Sequence, residues 1–565
     1  HQPSSDMFKL FNEIVIMDKG GYPVYFGNPL DSISYLKSVA QRADAAEIEC
    51  QTCGNVNTDD ILKIIEAKKV NDFGEYVKER QIIPEDWYQL FKERIDNKPE
   101  TIQQEPLPRL NFKVPGRIQQ FIIYSRRNFF TKLADKQFVA LSLLITPVLA
   151  LILGFFTKYL GGIKDGDPQY VFSLNENIPA YLFMTVIVSL FVGMIISAEE
   201  IIRDRKIRAR ESFLNLSKYA YYNSKIIFLI LLSAFQMFVF VLIGNAILEI
   251  KGLNLNYWLI LFSSSCFAVL LGLNISAGLK SIISIYINIP FILVPLILLS
   301  GVIVKYDKLH PSVAAHEYVP ITGDLMASRW AYEALVVNQY KNNAFEKLFF
   351  ELDRKQGNAQ YYTNYLIPDI RNRVSNIIQA ERNNDKELYD RSLSVIQNTL
   401  PALPGVPPEL LVEKGGSIDL SVLTGYLNQL DDYLNMRSHE LTVKRDSVVN
   451  VLTDNGMKHS KLVQMKRDYQ NEAISDLVLN TNELKKIVEY KGRLIRKDTP
   501  IYQYTQSKMG RSQFFAASKN IGGIEIDTVK FNIIILWLMS IILYIALLND
   551  WLRRLLNLLK SGHRD

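Results

Sequence analysis

Long apolar runs alternate with polar stretches along the 565 residues of the chain. A transmembrane helix needs about 20 predominantly apolar residues to cross the hydrocarbon core of a bilayer. Runs of that length without an internal Lys, Arg, Asp or Glu predict six transmembrane helices: Phe138–Phe156, Pro179–Ala198, Ile226–Leu248, Tyr257–Leu279, Ser281–Val304 and Phe531–Asn549. Only Lys280 separates the fourth run from the fifth, so we expect a tight turn there. The pattern predicts a mainly α, polytopic membrane protein.

The segment before the first run divides into three parts. Residues 1–30 are interpreted as a fragment of an α/β domain, in which Ile14–Met17 and Tyr22–Phe26 pair as a hairpin about a glycine pair. Residues 31–113 are polar and mostly helical. Residues 114–136 carry apolar residues at helical spacing between arginines, which is typical of a connecting helix at a membrane interface. Packing of this helix on a cytoplasmic domain is an equally good interpretation, and both can hold.

A long polar stretch, residues 345–526, separates the fifth run from the sixth. Residues 137–344 hold the first five spans and residues 527–565 hold the sixth, so the stretch is predicted to be an extracytoplasmic insert. Apolar residues at helical spacing in Leu441–Leu452 and Leu477–Val488 predict a helical, partly coiled-coil hairpin.

The distribution of Lys and Arg sets the predicted orientation. Basic residues precede the first run and follow the second and the sixth, whereas the loop after the first run is acidic. Short cytoplasmic loops are enriched in Lys and Arg, so both termini are predicted to be cytoplasmic. This bias accounts for the formal net charge of +6, and no nucleic-acid partner is predicted.

The three cysteines predict no disulfide framework and no metal site. Cys266 lies inside an apolar run, where packing is expected, and Cys50 and Cys53 lie on the predicted cytoplasmic side, where thiols stay reduced. A structural zinc site needs four ligands, and the chain offers no second pair. A zinc site shared across a homodimer is the alternative.

One known family accounts for several segments together. The sequence His1-Gln2-Pro3-Ser4-Ser5-Asp6, followed by Ile14–Asp18, Gly20-Gly21 and Tyr25-Phe26-Gly27, resembles the switch-histidine segment of the G subfamily of ABC transporters, the White and sterol-exporter type. The resemblance implies that residues 1–30 end a nucleotide-binding domain and that the chain is a C-terminal fragment. It also implies that His1 is a catalytic and cofactor-binding residue that contacts the γ-phosphate of ATP.

The intact protein would then be an ABC-type ATPase that uses ATP and Mg²⁺. The 565 residues contain no Walker A, Walker B or signature motif, so this fragment alone is expected to bind neither cofactor.

The resemblance continues through the membrane region and implies three sets of candidate residues. Glu199–Lys225 resembles the family's loop between spans two and three, Ser300–Val304 its turn at the outer end of span five, and Ser328–Leu335 its re-entrant segment. An ion-pair network that couples the spans to the nucleotide domain is expected from Glu199, Glu200, Arg203, Arg205, Arg208 and Glu211. Val302 and Ile303 are expected to form an apolar gate. The substrate cavity is expected to be lined by Phe183, Phe191, Val294 and Leu298.

The charged set and the gate each have a plainer interpretation. Charges at the boundary of a span can be ordinary interfacial charges, although paired acids in a basic loop are more than topology requires. Bulky apolar residues at a span end can simply face lipid.

The family resemblance implies a half-transporter that works in the bilayer as a homo- or heterodimer and exports lipids or other hydrophobic compounds. The alternative is a mechanical transmitter, in which motion of the spans drives an envelope protein through the insert while nothing crosses the membrane. The size of the insert motivates this alternative and favours a bacterial inner membrane.

Overall fold

The computed structural model describes residues 5–46, 57–96, 115–164, 166–214, 216–411, 416, 418–454 and 459–561. The chain divides into two units, His1–Lys113 and Val114–Asp565. His1, Cys50 and Cys53, which the sequence singles out, lie outside the described residues.

The first unit is a small α/β body with one apolar core. Its elements are α1 Ser5–Phe8, β1 Ile14–Asp18, β2 Tyr22–Gly27, α2 Pro29–Val39, α3 Asp59–Ile65, β3 Lys68–Val70, β4 Tyr76–Arg80 and α4 Pro84–Phe91. Strands β1 and β2 pair antiparallel, as the sequence predicts, and Gly20 and Gly21 in their turn have positive φ. Trp87 is fully buried in the core, and Arg80 forms an ion pair with Asp18 at 2.7 Å. The hairpin β3–β4 lies in a region that the sequence predicts to be mostly helical.

Apolar helices begin the second unit. Its first elements are α5 Arg117–Ala134, α6 Lys136–Thr157, β5 Gly162–Lys164, β6 Asp167–Gln169, α7 Ile178–Ala198, α8 Glu200–Arg203, α9 Arg205–Arg210, α10 Lys218–Ile247, α11 Asn254–Gly278, α12 Ile282–Leu298, α13 Ile321–Asp324 and α14 Ala327–Lys341.

Residues 345–526, called the insert region below, contain both helices and strands. They form α15 Glu346–Tyr361, α16 Ile367–Asn383, α17 Lys386–Thr399, α18 Leu420–Asp454, α19 His459–Tyr469, α20 Glu472–Leu479, β7 Ile487–Tyr490, β8 Arg493–Arg496 and β9 Ser518–Ile521, and β10 Ile524–Asp527 completes the last hairpin. Ile370, Ile396 and Leu427 are buried in an apolar core that belongs to this region alone.

One of the two helical stretches predicted in the insert region is confirmed, and the other prediction is wrong in part. Leu441–Leu452 lies within α18, but Leu477–Val488 is not a continuous helix. Helix α20 stops at Leu479 because Asn480 adopts a left-handed conformation with φ of 52°, and β7 follows. The helical hairpin expected from apolar spacing is therefore a mixed α/β arrangement.

Two helices end the chain, α21 Thr528–Leu548 and α22 Trp551–Ser561. Within the described residues, five helices are long and apolar enough to cross a membrane: α6, α7 with its extension to Arg210, α10, α11 and α21. Helix α12 covers the fifth predicted run but has 17 residues. At 1.5 Å per residue it rises roughly 25 Å, less than the roughly 30 Å of a hydrocarbon core. The structure is mainly helical with several apolar helices, as predicted, and a sixth crossing stays a prediction.

Helices α7 and α11 pack closely because small residues lie on their shared face. A Cβ added at Gly193 would come within 2.7 Å of the Ser265 carbonyl oxygen and 2.9 Å of Ala268 Cβ. A Cβ at Gly272 would come within 2.9 Å of the Met194 carbonyl oxygen. Small residues let transmembrane helices approach until their backbones touch, and van der Waals contact then holds them together.

A buried charge cluster fastens the insert region to the apolar helices. Lys519 on β9 and Glu333 on α14 are both fully buried, and Lys519 Nζ lies 2.8 Å from Glu333 Oε2. Asn532 on α21 donates to the same oxygen at 2.8 Å, and Arg329 NH1 lies 3.5 Å from it. Burial and the Arg329 cation lower the pKa of Lys519. These four residues, the Glu333 cluster, join β9, α14 and α21, and losing one charged partner would leave another buried and uncompensated.

Glu346 is a buried carboxyl outside this cluster, at the start of α15. Its Oε1 accepts a hydrogen bond from Gln470 Nε2 at 2.8 Å, while Oε2 has no hydrogen-bond partner in the described part of the chain. Burial and the nearby Asp353 carboxylate raise the pKa of Glu346 to about 7.

A carboxyl with a raised pKa in the folded state stabilises the fold at low pH and loses that contribution as the pH rises through the folded value. Glu346→Gln mimics the neutral form at every pH. We expect the variant to be more stable than the wild type by about 3 kcal/mol at pH 8 and by less than about 1 kcal/mol at pH 5. Unfolding in detergent at both pH values measures this. Glu351→Gln, an exposed position on the same helix, is the control, and an equal gain at both pH values would contradict the prediction.

The contact between α7 and α11 predicts a second effect on stability. In Gly193→Ala the added Cβ meets a backbone oxygen that cannot rotate away, so we expect a loss of about 1–3 kcal/mol. Gly425→Ala on α18 is the matched control, since a Cβ there meets nothing within 4 Å. It should be neutral or stabilising, because alanine is the better helix former. Thermal unfolding of both variants compares them, and equal effects would rule out close packing as the cause.

Candidate functional site

The acids and bases that follow α7 lie where α5, α8 and α10 meet. Glu200, the first residue of α8, is only 3% exposed. One of its carboxylate oxygens contacts Lys132 Nζ on α5, and the other lies 3.1 Å from Lys225 Nζ on α10. The side chains of both lysines are buried as well. One carboxylate therefore joins three helices that are far apart in the sequence.

Lys225 extends these contacts further. Its Nζ lies 2.9 Å from Asp204 Oδ2 and donates to Asn128 Oδ1 at 2.9 Å. The Tyr221 hydroxyl donates to the same Asp204 oxygen at 3.0 Å. These residues together are called the Glu200 network: Asn128, Lys132, Glu200, Asp204, Tyr221 and Lys225. They border a cavity of about 200 Å³.

The sequence of α5 explains how so many polar groups come to be buried. Polar or aromatic residues recur every fourth position and are buried: Gln120, Tyr124, Asn128 and Lys132. Most apolar residues on its other positions are exposed, among them Ile118, Ile122, Phe129 and Leu133, whereas Phe121 is partly buried. A helix that turns its polar side to the protein and its apolar side outward suits a bilayer boundary, where the outward side meets lipid. This burial supports the interfacial interpretation of the connecting helix.

Of three further predicted coupling residues, two lie at the edge of the network. Glu199 accepts a hydrogen bond from the Tyr286 hydroxyl at 2.8 Å and pairs with Arg203 at 3.3 Å. Arg203 also lies 3.6 Å from Asp135, the residue between α5 and α6. Arg205 points elsewhere, and donates to a backbone carbonyl at the end of α11 at 2.7 Å.

The remaining two predicted coupling residues contact α5 and α10. The Arg208 guanidinium lies over the Tyr221 ring, 4.5 Å from its centroid. Glu211 pairs with Arg127 of α5 at 2.6 Å, and both side chains are partly exposed. The structure thus brings the predicted charged residues to one end of the helices, but only Glu200 is at the centre of the network.

The turn that contains the predicted gate is held by a buried serine and a glycine. Ser300 is fully buried and donates to a carbonyl of α12 at 2.6 Å. Gly301 has φ of 80°, and the Tyr306 ring occupies the space that a Cβ would need, so only glycine fits. Val302 is half-buried against the core, whereas Ile303 is 61% exposed.

The predicted cavity residues have two kinds of environment. Phe183 is buried and packs edge-on against Tyr332 of α14, with ring centroids 5.5 Å apart. Phe191, Val294 and Leu298 are all exposed on the outside of the single chain. Within one chain Phe183 is a core residue, and the other three are accessible from outside.

The part of the chain that contains this site is similar to a known protein family. Residues 119–340 match the family described as ABC-2 type transporter. No curated protein matches the chain. The ABC-2-type segment extends from α5 to α14 and includes the Glu200 network and the Ser300 turn. The match points to the membrane part of an ABC transporter and to an integral membrane protein, as the sequence predicts.

The ABC-2-type segment contains a buried free thiol, Cys266. Among the described residues, no group of three or more His, Cys, Asp or Glu side chains is placed to hold a metal ion. The ion pairs and hydrogen bonds of the Glu200 network can hold helices in register and pass a displacement from one to another.

Of the six members of this network, only Glu200 was predicted as a site residue. Sequence reasoning missed the other five: Asn128, Lys132, Asp204, Tyr221 and Lys225. Two signals could have found the lysines. Lys132 continues the four-residue repeat of α5, and Lys225 directly precedes a long apolar run. A lysine at that depth needs a carboxylate partner or water, and Glu200 is at the corresponding end of the preceding run.

Glu200→Gln removes the carboxylate that compensates two buried lysines. Breaking a buried pair costs about 3–5 kcal/mol, so we expect a loss of that order. Glu199→Gln is the matched control, because that neighbouring side chain is 28% exposed and its pair is worth at most about 1 kcal/mol. Unfolding in detergent compares the two variants, and similar losses would show that burial of Glu200 does not matter.

Proposed function

We propose that the chain is the membrane half of an ATP-driven ABC transporter of the G-subfamily type, which works as a dimer and exports lipids or other amphipathic compounds. The Glu200 network within the ABC-2-type segment is the observation that carries this proposal. The second half-transporter, the bilayer and a hydrophobic substrate are its partners.

The network supports coupling because it links elements that need to move together. A nucleotide-driven motion applied to α8 or α5 would reach α10 through buried ion pairs. Buried ion pairs resist partial separation, since a charge left alone in a low-dielectric site is costly. A displacement of one helix therefore has to be followed by its neighbours.

The exposed apolar residues support a cargo of similar character. Phe191, Val294 and Leu298 are available to a second copy or to an amphipathic substrate at the interface of a dimer. Val302 and Ile303 would close that route at a gate, above which the substrate would leave.

The source of energy in this proposal is ATP with Mg²⁺, bound by the intact protein. His1 would contact the γ-phosphate there. We further propose a bacterial inner membrane with both termini cytoplasmic, on the distribution of Lys and Arg.

A mechanical transmitter is the second candidate, and the Glu333 cluster favours it. Lys519 of the insert region is tied to Glu333 of α14 and, through Asn532, to α21. Movement of these helices would carry the insert region with it, and an envelope protein bound there would receive the motion.

The pair between Arg127 and Glu211 allows a test that spares the fold, because both side chains are partly exposed and the pair contributes at most about 1 kcal/mol. The intact protein is reconstituted in liposomes, and ATP hydrolysis and movement of a fluorescent lipid are measured together. We expect Arg127→Glu and Glu211→Arg each to reduce the number of lipids moved per ATP hydrolysed by tenfold or more. The reason is that each change removes a contact that couples α5 to the segment after α9, and such couplings are worth about 1–3 kcal/mol.

The exchanged double variant R127E/E211R is the control, because it restores the pair with reversed charges. Recovery of coupled transport in this variant supports the proposal. Hydrolysis without any lipid movement in the wild type would favour the transmitter, and the absence of hydrolysis would contradict both functions.

A further inference from the structure

The last described helix, α22, has three distinct sides: one packed against protein, one apolar and exposed, and one charged. Leu552 and Leu556 are half-buried against the rest of the second unit, while Trp551 and Leu555 are apolar and exposed. Arg553 lies on the polar side and is exposed. Contact with protein, an apolar exposed flank and a charged flank are the features of a helix lying in the membrane interface.

Helix α22 packs closely against α11 at a glycine. A Cβ added at Gly278, the last residue of α11, would come within 2.7 Å of Leu552 Cδ2. Helix α22 therefore lies directly against the end of α11, close to the α11–α12 turn that contains Lys280. It lies at the same end of the helices as the Glu200 network, since Tyr222 beside Tyr221 donates to Asp550 at 3.3 Å.

A large basic cavity opens between α22, α9 and the α11–α12 turn, with a volume of about 1020 Å³. Five cationic side chains line it: Arg205, Arg208, Lys218, Lys280 and Arg553. The two carboxylates in its lining are already paired, since Glu211 binds Arg127 at 2.6 Å and Asp550 lies 3.5 Å from Lys218.

The remaining cations leave this cavity with an excess of positive charge. Arg205 bonds to a backbone carbonyl and Arg208 lies over aromatic rings, so neither is neutralised by these contacts. Lys280 and Arg553 are both exposed, and the ion pairs of the cavity lining in the described part of the chain are made by other residues. A cavity of this kind favours a ligand with negative charge.

An apolar groove adjoins the basic cavity. Its volume is about 630 Å³, and apolar side chains such as Leu271, Ile292 and Leu555 dominate its lining. Leu279 and Leu556 line both spaces, so the groove and the cavity are neighbours.

We propose that the two spaces together form a binding site for an anionic phospholipid. The phosphate would lie in the basic cavity near Lys280 and Arg553, and an acyl chain would lie in the groove beside Leu555. Basic pockets between transmembrane helices are suited to anionic headgroups, and an acyl chain gains free energy for each methylene it buries. A soluble phosphate would use the cations but not the groove, so the combination points to a lipid. The site does not depend on transport and stands beside the proposed function.

The test is a lipid titration of the full chain in neutral detergent with phosphatidylcholine. Phosphatidylglycerol is added, bound lipid is counted by native mass spectrometry, and thermal unfolding is followed in parallel. We expect saturable binding and a rise in unfolding temperature, with no such rise on adding more phosphatidylcholine. The double variant Lys280→Gln/Arg553→Gln should weaken the affinity for phosphatidylglycerol by about tenfold or more. Each cation near an anionic headgroup raises the affinity about fivefold, and this variant removes two.

Lys485→Gln/Lys508→Gln is the matched control, since both lysines are exposed and belong to the insert region. Its affinity should equal that of the wild type. Leu555→Gln should weaken phosphatidylglycerol binding without removing a charge. Equal affinities for all variants would overturn the proposal. So would equal binding of glycerol phosphate, since that result assigns the cavity to soluble anions.

Discussion

The burial of Glu200 between Lys132 and Lys225 is the constraint on which the arrangement of the membrane helices depends. Three charged side chains from three helices are removed from water, and each is tolerable only with its partners in place. The relative position of α5, α8 and α10 is therefore restricted more sharply than apolar packing alone would require. Lipid is as apolar as a leucine side chain, so hydrophobicity gives these helices little reason to prefer one another.

The same constraint explains the unusual distribution of residues on α5. Its polar repeat has to point inward to supply Asn128 and Lys132, which leaves Ile118, Ile122 and Leu133 outside. In water this would be an unstable surface, and at the edge of a bilayer it is a favourable one. The inward-facing ion pairs of α5 therefore agree with the predicted location of this helix at a membrane interface.

A second set of buried charges, the Glu333 cluster, lies at the other end of the helices from the Glu200 network, and α21 runs between the two. Asn532 near its start belongs to the Glu333 cluster, while Tyr544 near its end donates to Asn223 of α10 at 2.8 Å. Helices α7 and α11 are held together by small residues such as Gly193 and Gly272, and the Gly272 contact with Met194 lies towards the Glu200 end of α7. Close packing and charge clusters at both ends together resist small displacements of these helices. A second conformation would need new partners for each buried charge, because a buried charge left unpaired is costly.

The apolar runs are readily predicted from the sequence, because an uninterrupted apolar stretch of about 20 residues is longer than most buried helices of soluble proteins need. The β1–β2 hairpin follows equally from local signals, namely alternating strands and the Gly20-Gly21 turn. Residues 345–526 are harder to predict. Apolar spacing in Leu477–Val488 fits a helix, but the left-handed Asn480 ends α20, and strand pairing decides the rest.

The charged site shows where sequence reasoning reaches its limit. The segment that supplies Glu200 is recognisable from its acids inside a basic loop, whereas Lys132 lies 68 positions away and Lys225 25 positions away. Only the fold brings them together. Glu199 and Arg205 belong to the same segment, yet neither joins the buried network. Arg205 donates to a backbone carbonyl, and Glu199 contacts the Tyr286 hydroxyl and the exposed Arg203.

The two candidate functions make different use of the same helices, and the family match helps to weigh them. Both need α14 and α21 to move with the insert region, because the Glu333 cluster joins them. A transmitter needs nothing more, and its remaining surface need only suit lipid. Phe191 on α7 and Val294 and Leu298 on α12 are exposed apolar side chains, and α12 leads to the Ser300 turn. Exposed apolar side chains suit lipid as well as an amphipathic molecule, so the match of residues 119–340 to ABC-2 type transporters is the finding that favours the transporter.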